Sequence, residues 1–174
     1  MSEKLPLTPS LTWARYRGDA RLGLNSSELI IRVALFEAFL KEIHRQTLLA
    51  NPQLLSVCKP NRAIQLRELF RSPFERFKFD EIERQVREMD RLKTKDKARF
   101  FQRRLKLPWG IPAEGESDVV KRIDDLIQMR HQLIHGDHDN YVSDKMVKDA
   151  RFLFWQVPGT CISTAAKLYP SHFV

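Results

Sequence analysis

Apolar residues recur along much of this chain at spacings of three and four. Leu29, Ile30, Val33, Phe36, Leu40 and Ile43 form the first such run, which places them on one side of an α-helix. Ser26 and Ser27 stand ahead of the run as N-cap residues, and Asn51-Pro52 follow it as a stop. Together they predict a helix over about 27–49. Glu37 and His44 project onto its apolar side. Further along, 61–71 and 80–93 read as shorter charged helices around a Phe-rich link at Phe74, Phe77 and Phe79. Ala98 to Leu105 is another helical piece, anchored by Phe100, Phe101 and Leu105.

The stretch from Leu107 to Glu116 holds two Pro and two Gly and predicts a loop. Ser117 then caps a helix whose apolar stripe is Val119, Val120, Ile123, Leu126, Ile127, Leu133 and Ile134, with Gly136 as its left-handed stop. Asp118, Asp124 and Asp125 lie on its exposed side. A polar turn runs from Gly136 to Tyr141. Ser143 caps a further helix that ends at Val157-Pro158-Gly159, and a short helix near 161–168 closes the chain. Strand-like alternation and internal repeats are absent. The expectation is an all-α chain, a compact helical bundle forming one domain over 1–174.

Composition narrows the class. A chain of 174 residues is long enough to bury a core. Its N-terminal residues lack the apolar segment of a signal peptide, and no apolar run approaches the roughly 20 residues that span a bilayer. Cys58 and Cys161 offer no disulfide framework, so a reducing, cytoplasmic setting without membrane attachment is expected. The net charge of +8 is uneven. Residues 59–107 hold 16 Lys and Arg against 8 Asp and Glu, whereas 108–141 hold 3 against 7. A segregated basic surface favours an acidic partner, nucleic acid being the commonest. The plainer reading is a solvated helical face with many ion pairs one turn apart.

The most informative residues are Arg130-His131-Gln132-Leu133-Ile134-His135-Gly136. At about 100° per residue, Arg130 falls near the middle of the apolar stripe of its helix. A guanidinium stays charged at any ordinary pH, and burying it unpaired is unfavourable. Arg130 therefore needs either a dedicated partner or a polar cleft. His135 closes the same helix, and histidine ordinarily titrates near neutrality. A permanent cation beside a proton-transfer group suits work on a phosphodiester.

An Arg, a polar residue and a His closing a helix resemble the R-x4-6-H signature of the HEPN superfamily, matched here by Arg130-x4-His135 with His131 at the second position. Many members are metal-independent ribonucleases of toxin–antitoxin, phage-defence and RNA-processing systems. The resemblance, carried by about 25–50 and 117–157, implies several things. Arg130 and His135 would be catalytic, with His131 beside them, and two chains would form a two-fold dimer sharing one cleft. Glu37 and Lys41 resemble a supporting E-x3-K element that often packs beside the motif helix, which would give Arg130 its partner. No cofactor is implied; RNA and a possible antitoxin or defence-system protein are the expected partners. Residues 52–115 match no motif and read as a family-specific insertion. The reaction implied is endonucleolytic RNA cleavage by 2′-OH attack, with Arg130 on the phosphoryl charge and His135 as general acid or base.

Two other readings stand beside it. A non-catalytic HEPN-like module would bind RNA or protein with the same fold. A metal-dependent hydrolase would use His131 and His135, four apart on one helical face, with Asp137, His138 and Asp139 close behind. The Glu of H-E-x-x-H is missing, since Gln132 follows His131. In the basic middle, Lys93, Lys95, Lys97, Arg103 and Arg104 are candidate phosphate contacts, while Phe100 and Phe101 read as core anchors. Phosphate-loop, dinucleotide and serine-hydrolase motifs do not occur. Trp13, Trp109 and Trp155 are expected to pack.

Overall fold

Leu29, Val33, Phe36, Leu40 and Ile43 are all buried, the stripe that the periodicity predicts. A computed structural model describes residues 9–55, 74–110, 116–135 and 141–172. Within these, five α-helices and one π-helical turn are traced, with no strand. They are α1 (Pro9–Ala50), α2 (Phe74–Asp90), α3 (Thr94–Phe100), the π turn Phe101–Leu105, α4 (Glu116–Ile134) and α5 (Asp144–Leu168). The predicted helix over 61–71, Cys58, the Gly136 cap and the Trp13 side chain lie outside the described residues. Among the described residues no helix is long and apolar enough to cross a membrane.

Helix α1 packs against α2, α4 and α5. Lys41 reaches Asp90 at 2.9 Å and Arg45 grips Glu83, which sets α2 antiparallel to α1. Along α5 the pairs Arg21–Asp144 and Glu28–Arg151 keep one offset of 123 residues, so these two helices run parallel and in register. Arg151 and then Arg32 hold the Glu28 carboxyl down to about 2. At the centre, Trp109 is fully buried. Its indole meets Phe36 edge-on at 5.6 Å and lies 5.8 Å from Phe101. Phe101 and Leu105 are sealed and Phe100 packs against them, so the phenylalanines are core anchors.

Helix boundaries depart from the sequence reading in instructive ways. Ser26 and Ser27 do not cap α1; they sit inside it, with their hydroxyls donating to the carbonyls of Leu22 and Gly23. The added N-terminal turns are tied down by α5, through Arg21 and through the Asn25 amide, which donates to Val142 O and Asp144. The Phe-rich link belongs to α2. Ser117 lies within the first turn of α4 rather than ahead of it. Ser143 caps α5 as expected, accepting from the Met146 amide at 3.3 Å. Pro158 does not end that helix. A proline inside a helix costs roughly 3 kcal/mol. Here the buried stripe runs straight through it, from Val147, Ala150 and Leu153 to Val157, Cys161 and Ala165. Each large apolar side chain on such a face contributes about 1.5–3 kcal/mol, so packing carries the helix past the proline. Trp155, by contrast, is 77% exposed and packs on nothing in the core.

His44 is fully buried against Phe100, with ring centroids 5.0 Å apart and neither ring nitrogen hydrogen-bonded. Burial first, and the Arg45 charge second, push its pKa down from 6.5 to about 4. The sign follows: the fold takes only the neutral ring, so stability is complete above about pH 6.5 and falls as the unfolded chain gains a proton. By pH 5 the loss should reach about 2 kcal/mol. Glu28, held down to about 2, adds its own loss only below about pH 4.5. Urea unfolding at stepped pH should show this slope in the wild type, and His44→Leu should flatten it between pH 6.5 and 5.

Candidate functional site

Helix α4 carries the motif because its apolar stripe docks on α1, α3 and α5. Val119, Ile123 and Leu126 are buried; Val120, Ile127 and Leu133 are partly so. Ile134 was expected on the same stripe but is 48% exposed, in the last turn where the packing runs out. Arg130 holds the central position of the stripe and is half-buried. Its Nε is sealed from solvent and finds no acceptor.

The partner expected for Arg130 is not Glu37. Among the described residues Glu37 makes no ion pair with Arg130 or with Lys41, whose ammonium goes instead to Asp90 on α2. An exposed pair one turn apart contributes only a few tenths of a kcal/mol. A carboxylate brought in by a packed neighbouring helix therefore decides where Lys41 points. Arg130 is left as a partly buried cation without a protein anion.

His131 and His135 lie on a different side of α4. Both are exposed, and their rings are in contact, with centroids 4.2 Å apart and planes tilted by 59°. The His135 amide donates to the His131 carbonyl at 3.1 Å, the last bond of the helical ladder. Helical geometry puts Arg130 and His135 about 140° apart around the axis. One chain therefore separates its guanidinium from its imidazoles. Among the described residues no group of three His, Cys, Asp or Glu side chains is placed to hold a metal ion; Asp137, His138 and Asp139 lie outside them.

The basic residues of the middle segment are dispersed. Lys93 precedes α3, and Lys95, Arg103 and Arg104 are exposed on α3 and the π turn. Lys97 is drawn in beside Asp90 at 3.7 Å. The structure adds a groove of about 500 Å³ between α3 and α4, lined by Lys95, Ala98, Arg99, Gln102, Val120, Lys121 and Asp124. The spacing of Lys95, Arg99 and Gln102 was legible as one helical face. Lys121 and Asp124 were not, because they sit in the acidic stretch and join the groove only through packing. On the opposite side of α4 a shallower hollow of about 910 Å³ is spanned by the Arg122–Asp149 ion pair, and its charges of both signs largely offset one another.

No family model, curated protein or solved structure matches this chain.

Cys161 is no nucleophile. It is fully buried, its thiol donates to the Pro108 carbonyl at 3.7 Å, and burial pushes its pKa up to about 12. A thiol reacts as thiolate. In a Cys58→Ser variant, Ellman's reagent at neutral pH should leave the folded protein untouched and titrate Cys161 only after denaturation. Rapid labelling of the native protein would contradict the burial described here.

Proposed function

We propose that this chain is a metal-independent endoribonuclease of the HEPN kind, acting as a homodimer in a prokaryotic defence or toxin–antitoxin setting. The observation that carries the reading is Arg130: a permanent cation on the core side of α4, its Nε buried without an acceptor. It is five residues from the contacting, exposed pair His131–His135. An unpaired, partly desolvated guanidinium favours an anion with forked oxygens, and a phosphodiester is such an anion.

In the proposed reaction an imidazole takes the proton of the ribose 2′-OH. The 2′-oxygen attacks the adjacent phosphorus, the bond from phosphorus to the 5′-oxygen breaks, and that oxygen receives a proton. His135 is assigned the proton transfer, with His131 in contact to orient it or share the task. The Arg130 fork is assigned to the charge that builds on the phosphoryl oxygens. Because Arg130 and His135 diverge around α4, a shared cleft between two copies of the motif is the arrangement that joins them. Glu37 and Lys41 keep no role as the Arg130 partner. A non-catalytic module that binds a protein partner is the second reading, favoured by the apolar side chains left exposed at Leu35 and Trp155.

Incubation with total RNA in EDTA tests the proposal. Arg130→Ala and His135→Ala should each lower cleavage by at least about a hundredfold, the scale of one general acid–base or oxyanion contact, with helical circular dichroism retained. The products should carry 2′,3′-cyclic phosphate and 5′-OH ends. Undiminished cleavage by either variant removes the assigned roles, and no cleavage by the wild type favours the binding module.

Assembly is checked separately. Light scattering at micromolar concentration should give a dimer, and a fully active monomer would reject the shared cleft. Mixed chains carrying Arg130→Ala and His135→Ala should regain part of the activity if each cleft takes its guanidinium from one copy and its imidazole from the other.

A further inference from the structure

The groove between α3 and α4 has the chemistry of a nucleotide site. Lys95, Arg99 and Lys121 supply three cations against the one carboxylate of Asp124, over a floor that includes Ala98 and Val120. Lys95 and Lys121 are exposed, and Arg99 is held only by a long contact to Asp96 at 3.8 Å. A volume of about 500 Å³ is in the range that holds a small organic ligand. Cations at the rim and apolar carbon beneath suit a phosphate joined to a base. The π turn begins where the groove does: Gln102, its second residue, is part of the wall.

The groove also has a direction. Lys121, Asp124, Gln128, His131 and His135 recur on α4 at spacings of three and four, so they form one strip along the helix. Gln128, between the groove and the histidines, is exposed. From Asp124 to His135 the rise is about 16 Å at 1.5 Å per residue. A strand seated in the groove therefore has an open path along α4 to the imidazoles.

We infer that this groove seats one nucleotide of a single RNA strand and leads that strand along α4 to His131 and His135. The inference rests on the ribonuclease reading for its substrate class. It extends the basic patch of the sequence to Arg99 and Lys121, and it gives Asp124 an opposing role: its carboxylate repels the phosphate and weakens binding.

The test measures binding apart from cleavage. A fluorescent oligouridylate with 2′-O-methyl riboses cannot be cleaved by 2′-OH attack, so its anisotropy reports affinity alone. The triple variant Lys95→Glu, Arg99→Glu, Lys121→Glu should bind at least about tenfold more weakly at low salt. The slope of log K against log salt should become shallower by about 2, at roughly 0.7 per lost phosphate contact for a single strand. Asp124→Asn, a milder change, should tighten binding instead, which keeps the test decisive if the triple variant fails to fold. Wild-type affinity and slope in the triple variant, or no gain from Asp124→Asn, overturn the inference. Free UMP competing as well as the oligomer also overturns it, since the site then takes a mononucleotide and not a strand. Tight, groove-dependent binding by a wild type that cleaves no RNA would leave the groove standing while removing the nuclease. Cleavage that survives in a triple variant with unchanged affinity would do the reverse.

Discussion

The apolar side of α1 must be covered, and the rest of the chain is arranged to cover it. Leu29, Val33, Phe36, Leu40 and Ile43 leave almost no surface exposed. Three other helices and the Trp109 loop achieve this together. The indole of Trp109 fills the space between Phe36 and Phe101, so a segment rich in Pro and Gly becomes the centre of the core. Removing a buried tryptophan costs about 3–5 kcal/mol in comparable cores, a large share of the marginal stability of a domain this size. The motif helix reaches its place through the same packing.

That constraint explains why the candidate site has two unlike parts. The stripe that anchors α4 includes position 130, where an arginine stands instead of an aliphatic residue. Its backbone is fixed by Val119, Ile123 and Leu126, while its guanidinium stays without an anion. The imidazoles and the groove share the other side of the helix, where packing is absent and solvent enters. Rigid placement and chemical availability thus come from two faces of one element.

The ion pairs act as orientation markers more than as a source of stability. Lys41–Asp90 and Arg45–Glu83 align α2, and Arg21–Asp144 and Glu28–Arg151 set α5 in register with α1. Exposed pairs contribute at most about 1 kcal/mol each. Two successive pairs at one offset nevertheless penalise a slipped register, which apolar contacts alone punish less. The same competition for carboxylates took Lys41 away from Glu37.

The sequence by itself determined the helical class, the buried stripes of α1 and α4, the Ser143 cap and the separation of Arg130 from His135. These follow from a period of 3.6 residues and from local capping chemistry. Tertiary structure decided the rest. α1 continues through Ser26 and Ser27 because α5 docks against its early turns, and α5 continues through Pro158 because its buried stripe does not stop there. Trp155 faces solvent because no element covers that side. Lys121 and Asp124 face Lys95 and Arg99 only because α3 packs on α4, across a gap of some twenty residues that no local spacing rule can bridge. Periodicity reports which face of a helix is buried; which face meets which is settled by how the helices fit together.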